Sequence, residues 1–596
     1  MTQPAQFKNL VELCSKSVDR FPTSKRFGTK DSSGQWNWIT FRQFGEQVDK
    51  FRGGLAHLGI GPGDRVAVIS NNRVEWAVAA YATYGRGAVF VPMYEKQQRS
   101  DWEYIVRDSG AKALIVANSK IAEGVRTFPQ EIPSLEHVIN LEGDGDTDER
   151  SFAALIARGA GSPVDALDPD PSDTAGLIYT SGTTGKPKGV VLSHRNFTSN
   201  VNAVQAIFPM RDGDVSLCFL PWAHSFGQTC ELHTLLSFGG ASAINGSLET
   251  LVDELSEIKP TVFFAVPRLY NKIYDGLNKK VAAGTPTKQK IFALAMATAN
   301  EKKALEAKGS SSGWVNFKHG VFDKLVYSTV RERLGGQLRY AFSGGAALSK
   351  EVAEFLENVG VIIFEGYGLS ETSPIATMNT PEHRRVGSVG KAIPHVEVII
   401  DTAAVDNEMG DQGEIIIKGP NIMQGYYNLD EKTAEVIRDD GSFRTGDLGR
   451  LDGEGYLWIT GRIKEQYKLE NGKYVVPAPL EDQLQLNGSI LQAMVYGMNK
   501  LNNVAIIVPD FPALEAAGFS GSPEALCKDD GVRAHIRAAI DSQHTDIFKG
   551  FERIKDFRLV AEEFSVDNDM LTPKMSLKRR NVIKAYQGLI DEMYTG

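Results

Sequence analysis

The stretch Leu177-Ile-Tyr-Thr-Ser-Gly-Thr-Thr-Gly-Lys-Pro-Lys-Gly-Val-Val-Leu-Ser-His194 sets two apolar, β-type runs around ten residues drawn only from Gly, Ser, Thr, Lys and Pro. Such a loop is suited to hold an anion. Gly182, Gly185 and Gly189 let the backbone turn and bring its N–H groups close to a ligand, Thr180, Ser181, Thr183 and Thr184 add hydroxyls, and Lys186 and Lys188 add charge. A Walker loop would open a helix with Gly-Lys-Ser/Thr. Here Gly185-Lys186 runs into Pro187 and the strand-like Gly189-Val-Val-Leu-Ser193, so the spacing predicts a loop between two strands. Anion binding must then rest on amides, hydroxyls and lysines. Taken alone, the loop reads equally well as a solvated hairpin.

Upstream, helical and strand periods alternate. Leu10 to Arg20 and Thr40 to Leu58 read as helices, the second through Phe41, Phe44, Val48, Phe51 and Leu55. Arg65-Val-Ala-Val-Ile-Ser70 reads as a buried strand, followed by a helix capped by Asn71 or Asn72 and by the strand Ala88 to Val91. Ala113 to Val116 and His137 to Asn140 extend the series. This βαβ order predicts an α/β fold, with a large multi-layer α/β N-terminal domain. Further strands are legible at Leu491 to Tyr496 and Asn503 to Val508.

At 596 residues the chain exceeds what one core organises, and its 42% hydrophobic and 23% charged residues are ordinary for a globular protein. The net charge of −9 argues against nucleic acid as a general partner, so phosphate ligands must find local basic groups. Cys14, Cys218, Cys230 and Cys527 show no metal-ligand spacing, which fits a reducing cytoplasm. With no signal-like N-terminus and no apolar run of about 18 residues, a soluble chain is expected, and peripheral membrane contact stays open.

The wording of the 177–194 stretch resembles the phosphate loop of the adenylate-forming superfamily, which includes acyl-CoA synthetases, peptide-synthetase adenylation domains and luciferases. The resemblance implies that the loop wraps the β- and γ-phosphates of ATP while a carboxylate attacks the α-phosphate. Further phrases follow in the superfamily's order. Leu220-Pro-Trp-Ala-His224 and Gly227 resemble a motif whose His or aromatic residue adjoins the carboxylate pocket, which makes His224 a candidate; Trp222 and Phe226 read equally as acyl pocket or as core. Gly344-Gly345-Ala346 resembles the segment lying along adenine. Glu365-Gly366-Tyr367-Gly368-Leu-Ser370-Glu371-Thr resembles the segment whose Tyr stacks on the base and whose Glu binds Mg²⁺, with Thr184 as a further oxygen ligand. Asp447 matches the ribose-binding aspartate, Arg462 an arginine near ribose and phosphate, and Lys464 the hinge. The implied boundaries are an N-terminal adenylation domain over 1–462 and a small, mobile α+β C-terminal domain over 463–596.

Three features resemble the long-chain acyl-CoA synthetase branch: the phrase Phe263-Phe-Ala-Val-Pro-Arg-Leu-Tyr-Asn-Lys-Ile-Tyr274, an insert of roughly sixty residues, about 277–336, and the wording Tyr467-Lys-Leu-Glu-Asn-Gly-Lys-Tyr-Val-Val-Pro-Ala-Pro-Leu-Glu481. In the insert Trp314, Phe317, Val321, Leu325 and Val326 share a helical face, which predicts a packed hairpin; the resemblance also offers fatty-chain or membrane contact. The tail departs from the branch. Leu571-Thr-Pro-Lys-Met-Ser-Leu-Lys-Arg-Arg580 puts Ser576 where relatives carry the lysine that reaches the α-phosphate, which makes Lys574 the substitute and Lys578 the lesser one. Arg579, Arg580 and Lys584 read as a solvated basic tail. The resemblance implies an AMP-forming ligase that uses ATP, Mg²⁺ and coenzyme A on a medium- to long-chain fatty acid. The alternatives are acyl transfer to an acyl carrier protein, or a nucleotide- and acyl-binding protein weakened at Ser576.

Overall fold

The computed structural model describes residues 6–180, 186–247, 249–405, 410–544, 548–572 and 576–595. The first layer is a seven-stranded sheet. Its parallel core runs Thr174–Thr180, Val89–Met93, Arg65–Ile69, Ala113–Val116 and His137–Asn140, as the βαβ pattern predicts. At one edge Thr174–Thr180 turns back as the antiparallel strand Lys188–Ser193, pairing Tyr179 with Gly189 and Thr180 with Lys188. The Gly/Ser/Thr/Lys stretch therefore does join two strands.

Local sequence explains the helices that cover this sheet. Asn9 caps Leu10–Arg20, and Thr40 and Gln43 form a reciprocal capping box at the start of Phe41–His57. Helix Val74–Gly85 is buried from Trp76 through Gly85 because it lies between layers, where Trp76 meets Phe90 and Trp222 edge-on at 4.9 and 5.6 Å. The predicted Asn cap of that helix is corrected: Arg73 occupies the N-cap without a side-chain bond. Asn72 is used elsewhere, donating to the Leu220 carbonyl and accepting from Trp222 N–H. Bridging two chain segments 150 residues apart satisfies the amide better than one helix end could.

A second sheet, Val262–Ala265, Tyr340–Ser343, Ile363–Gly368, Ile375–Met378 and Lys391–Ala392, is parallel over its first three strands. A four-stranded sheet of Trp36–Thr40, Lys25–Lys30, Ala241–Ile244 and Val215–Cys218 lies beside it. An antiparallel sheet, Glu397–Asp401, Gly413–Lys418, Phe443–Leu451 and Leu457–Arg462, completes the large domain. Beyond it the chain forms a smaller sheet, Ile490–Tyr496, Asn503–Pro509 and Ile554–Leu559, covered by helices Asp530–Gln543 and Arg579–Thr595 around cores of their own. The architecture is thus mixed α/β with a large N-terminal and a small C-terminal domain.

The insert forms helices Pro286–Ala307 and Gly313–Phe322, a π-turn over Asp323–Tyr327 and the short helix Ser328–Arg333. Its expected packed stripe is corrected. Trp314, Phe317, Val321 and Leu325 are 66, 62, 41 and 63% exposed, and of the five only Val326 is partly buried. The inward contacts come from Val315 on helix Gly313–Phe322 and from Tyr327 at the end of the π-turn.

Candidate active site

The strand ends of the first two sheets, the antiparallel sheet and the small domain enclose one continuous cleft of about 2440 Å³. Its polar part gathers residues far apart in sequence. Lys188 and Thr180, on paired strands, both line it. The Lys188 ammonium sits 3.9 Å from the centre of the Tyr426 ring, and the Tyr426 hydroxyl donates to Glu371 Oε1 at 2.8 Å. Burial holds the Lys188 ammonium below the usual lysine range, Glu371 opposes that shift, and Lys464 adds to it. Two cations and one carboxylate converging on a half-buried site leave positive potential for a polyanion. Lys186 departs from the expectation: it lies 5.0 Å from the Tyr104 ring and does not line the cleft. Ser181, Gly182, Thr183, Thr184 and Gly185 lie outside the described residues, and so does Lys574.

Next to this cluster Tyr367 donates to Asp447 Oδ2 at 2.7 Å, and Arg462 Nε lies 3.0 Å from Asp447 Oδ1. Burial raises the Asp447 carboxyl, while Arg462 and the Tyr367 hydroxyl hold it toward the ionised form. Arg462 is raised in turn by Asp447. A buried carboxylate held by a phenol and a guanidinium is a preorganised acceptor for hydroxyls. Gly344, Gly345, Ala346, Gly366, Gly368 and Ser370 line the same cleft. At Gly368 a Cβ would fall 1.6 Å from the Pro374 carbonyl oxygen, so the strand reaches the cleft only as glycine. Glu365 differs from its neighbours. It is buried behind the strand, accepts from Leu348 N–H at 3.3 Å, does not line the cleft, and burial pushes its carboxyl up to about 7.

His224 lines the cleft at the start of a tight turn. Phe226 N–H donates to its Nδ1 at 3.1 Å, which sets the neutral ring's proton on Nε2. The turn depends on Gly227, where a Cβ would come within 2.4 Å of the Pro221 carbonyl oxygen. A π-helix, Gly227–Thr234, follows directly, a form frequent at functional sites. Ser225 and Ser370 hydroxyls, 3.3 Å apart, tie this motif to the Glu371 segment. Trp222 belongs to the core, whereas Phe226 lines the cleft against Gly344. Beyond Phe226 the cleft turns apolar, between walls that include Phe264, Phe342, Phe364, Met210, Val204 and Cys230.

The small domain contributes Lys464, Ser576 and Arg580 to the cleft. Ser576 N–H donates to Thr572 Oγ1 at 3.2 Å, and Lys578 is turned away into an ion pair with Asp569. The solvated-tail reading holds for the exposed Arg580 and Lys584 and is corrected for Arg579. Its guanidinium makes two bonds to Glu481, at 2.6 and 2.7 Å, and one to the Val495 carbonyl. A buried carboxylate on helix Pro477–Leu484 outcompetes water for a fork-shaped cation. Tyr426 and the Glu481–Arg579 pair are the site-forming residues that sequence reading missed. Glu371 and Tyr426 are 55 residues apart, and no spacing rule joins them.

The family model described as AMP-binding enzyme matches residues 14–427, and the model of the AMP-binding enzyme C-terminal domain matches residues 464–596. The long-chain-fatty-acid–CoA ligase FadD15 of Mycobacterium tuberculosis is 34% identical over 580 residues, covering 94% of this chain and 93% of that protein. The peroxisomal long chain acyl-CoA synthetase 6 of Arabidopsis thaliana is 31% identical over 606 residues, covering 97% and 85%. Among solved structures, the adenylation domain of the carboxylate reductase from Mycobacterium chelonae aligns with a TM-score of 0.78 at 22% identity, covering 100% of this chain and 92% of that one. ATP-bound MatB from Rhodopseudomonas palustris aligns with a TM-score of 0.71 at 22% identity, covering 98% and 99%.

Proposed function

The chain belongs to the AMP-binding enzyme family and is an adenylate-forming ligase, and from that premise we propose that it activates a medium- to long-chain fatty acid and transfers the acyl group to coenzyme A. The observation that carries this reading is the continuity of one cleft, from Lys188, Glu371, Asp447 and Arg462 at its polar part to Phe264, Phe342 and Phe364 at its apolar part. A carboxylate headgroup is held where phosphate binds while its chain is buried.

Carboxylate and triphosphate repel each other by about 4 kcal/mol at 4 Å and an effective dielectric of 20. Lys188, with the loop that precedes it, is assigned to the phosphates and offsets that repulsion. Asp447 accepts from the ribose hydroxyls, Arg462 orients its carboxyl and opposes the upward push of burial, and Tyr367 covers the adenine. His224 orients the fatty carboxylate from the turn above Gly227. A magnesium ion would fit as a partner of Glu371, a hard carboxylate donor that lines the cleft beside Lys188, with phosphate oxygens as its further ligands. When bound, it supplies charge neutralisation between the phosphates. We assign the domain boundary to 462/463 and the hinge to Lys464, the second residue after strand Leu457–Arg462. Rotation there exchanges adenylation for thioester formation.

Carboxylate-dependent exchange of labelled pyrophosphate into ATP tests the assignment. Exchange that requires a fatty acid and is independent of coenzyme A is expected. Absence of exchange with every fatty acid supports a binding protein instead.

A further inference from the structure

Two ionic contacts cross the boundary between the large and small domains, and the chemistry of the cleft uses neither. On helix Pro267–Ala282, Lys279 Nζ lies 3.5 Å from Asp510 Oδ2 of the small domain, and the lysine stem runs against Gly488, where a Cβ would sit 3.5 Å from Lys279 Cε. Asp510 is already fixed in place. Its Oδ1 accepts from Ala513 N–H at 2.9 Å, capping helix Phe511–Ala516, and its own N–H donates to the Ser489 carbonyl. Asp275, one turn before Lys279, faces the same group: burial pushes its carboxyl up to about 6, Lys279 opposes that shift, and Asp510 and Glu351 add to it. The second contact involves helix Arg99–Ser109 of the first sheet. Burial raises the Asp101 carboxyl there, Lys578 lowers it and Asp569 raises it, so Asp101 stands within reach of the Lys578–Asp569 ion pair of the small domain. That pair closes the base of a hairpin in which Leu571 bridges Leu577 and Lys578 N–H donates to the Met570 carbonyl at 2.8 Å. Ser576, in the cleft, is carried on this hairpin. Each contact is thus one lysine between two carboxylates that belong to different domains.

We propose that Lys279 is a positioning residue for adenylation: by bridging Asp275 and Asp510, while Lys578 bridges Asp101 and Asp569, it holds the small domain where the Ser576 hairpin enters the cleft. This role rests on the function proposed above, in which that arrangement serves the first half-reaction. Lys279 does not itself line the cleft, so its effect on adenylation passes through the domain arrangement. A half-exposed ion pair contributes too little to decide folding. Two arrangements of a hinged domain are close in free energy, however, and a pair formed in only one of them shifts their populations severalfold. Rotation toward thioester formation breaks both bridges.

The arrangement is read without catalysis by joining the two domains of Asp101→Cys/Lys578→Cys with a short bismaleimide and quantifying the linked tryptic peptides. That background lacks the second bridge and so reports the first alone. Adding Lys279→Glu should slow cross-linking at least about threefold, and Lys279→Arg should leave it unchanged. Catalysis is read in single turnovers of chains with native Asp101 and Lys578. Lys279→Glu should slow acyl-adenylate formation at least about threefold at saturating ATP and fatty acid, while thioester formation from preformed adenylate is unchanged or faster. Asp510→Asn keeps the helix cap and removes the charge, so Lys279→Met and Asp510→Asn should each slow adenylation, and the double variant no more than either alone. Equal cross-linking with Lys279 and with Lys279→Glu would overturn the proposal, whether or not the wild type exchanges pyrophosphate. Slower cross-linking with unchanged adenylation would overturn the positioning role. Slower cross-linking in a chain whose wild type exchanges no pyrophosphate with any fatty acid supports the bridge and contradicts the function proposed above.

Discussion

Glu371 illustrates what a single residue decides. Its oxygen takes the Tyr426 hydroxyl, and its charge is felt by Lys188 and Asp447. Glu371→Ala should remove more than about 2.7 kcal/mol of transition-state stabilisation, roughly a hundredfold in rate. Pyrophosphate exchange within about threefold of wild type would contradict the metal role. Glu365 gives a test of opposite character. Burial raises its carboxyl from 4.5 to about 7, so the folded chain keeps a proton that the unfolded chain releases earlier. That stability is fully present below pH 4.5 and is lost as pH rises through about 7, about 3 kcal/mol by linkage. Glu365→Gln should therefore melt progressively higher than wild type as pH goes from 5 to 8. Parallel melting profiles would show that the proton is not held there. Lys188 was read from its Gly/Ser/Thr/Lys loop, and Glu371 and Asp447 from the family phrases they stand in; the structure brings all three to one cleft. Glu365 and Lys186 stand in the same phrases yet face elsewhere, because the Leu348 amide and the Tyr104 ring hold them and neither partner is visible in a motif.

At the scale of elements, periodicity located the helices and strands well wherever one face meets a core. Leu10–Arg20, Ala113–Val116 and His137–Asn140 match the expected bounds. The insert stripe was misread because helical spacing reports amphipathicity but not which face finds a partner. The tail was misread at Arg579 because its carboxylate partner lies 98 residues earlier. Two variants test elements directly. Lys464→Pro should leave adenylate formation largely intact and block thioester formation, because proline fixes φ at the residue that must rotate. Equal loss of both half-reactions in a folded protein would place the hinge elsewhere. In the tail, Lys578 is already paired with Asp569. Single-turnover adenylation should therefore slow at least about tenfold in Lys574→Ala, and less in Lys578→Ala; Ser576→Lys should be tolerated or faster. Wild-type rates in both alanine variants would mean that the charge comes from another group.

On the scale of the whole molecule, what sequence could not foresee is that one cleft runs between two domains and between two sheets. Its apolar branch is assembled from strands Val262–Ala265, Tyr340–Ser343 and Ile363–Gly368, each an unremarkable buried run when read alone. Phe264 and Phe342 stack at 4.8 Å, and both line the branch only because these strands are parallel neighbours. Each methylene buried in such a branch contributes roughly 1 kcal/mol to transition-state binding. The most direct test of the central assignment is kcat/KM for coenzyme A thioester formation across saturated fatty acids from butyrate to stearate, with AMP and pyrophosphate measured beside the thioester. The account predicts stoichiometric AMP, pyrophosphate and acyl-CoA, with kcat/KM rising at least about a hundredfold from butyrate to the medium- and long-chain acids. A flat or falling profile, or adenylate that accumulates and passes to a carrier-protein thiol but not to coenzyme A, would contradict it.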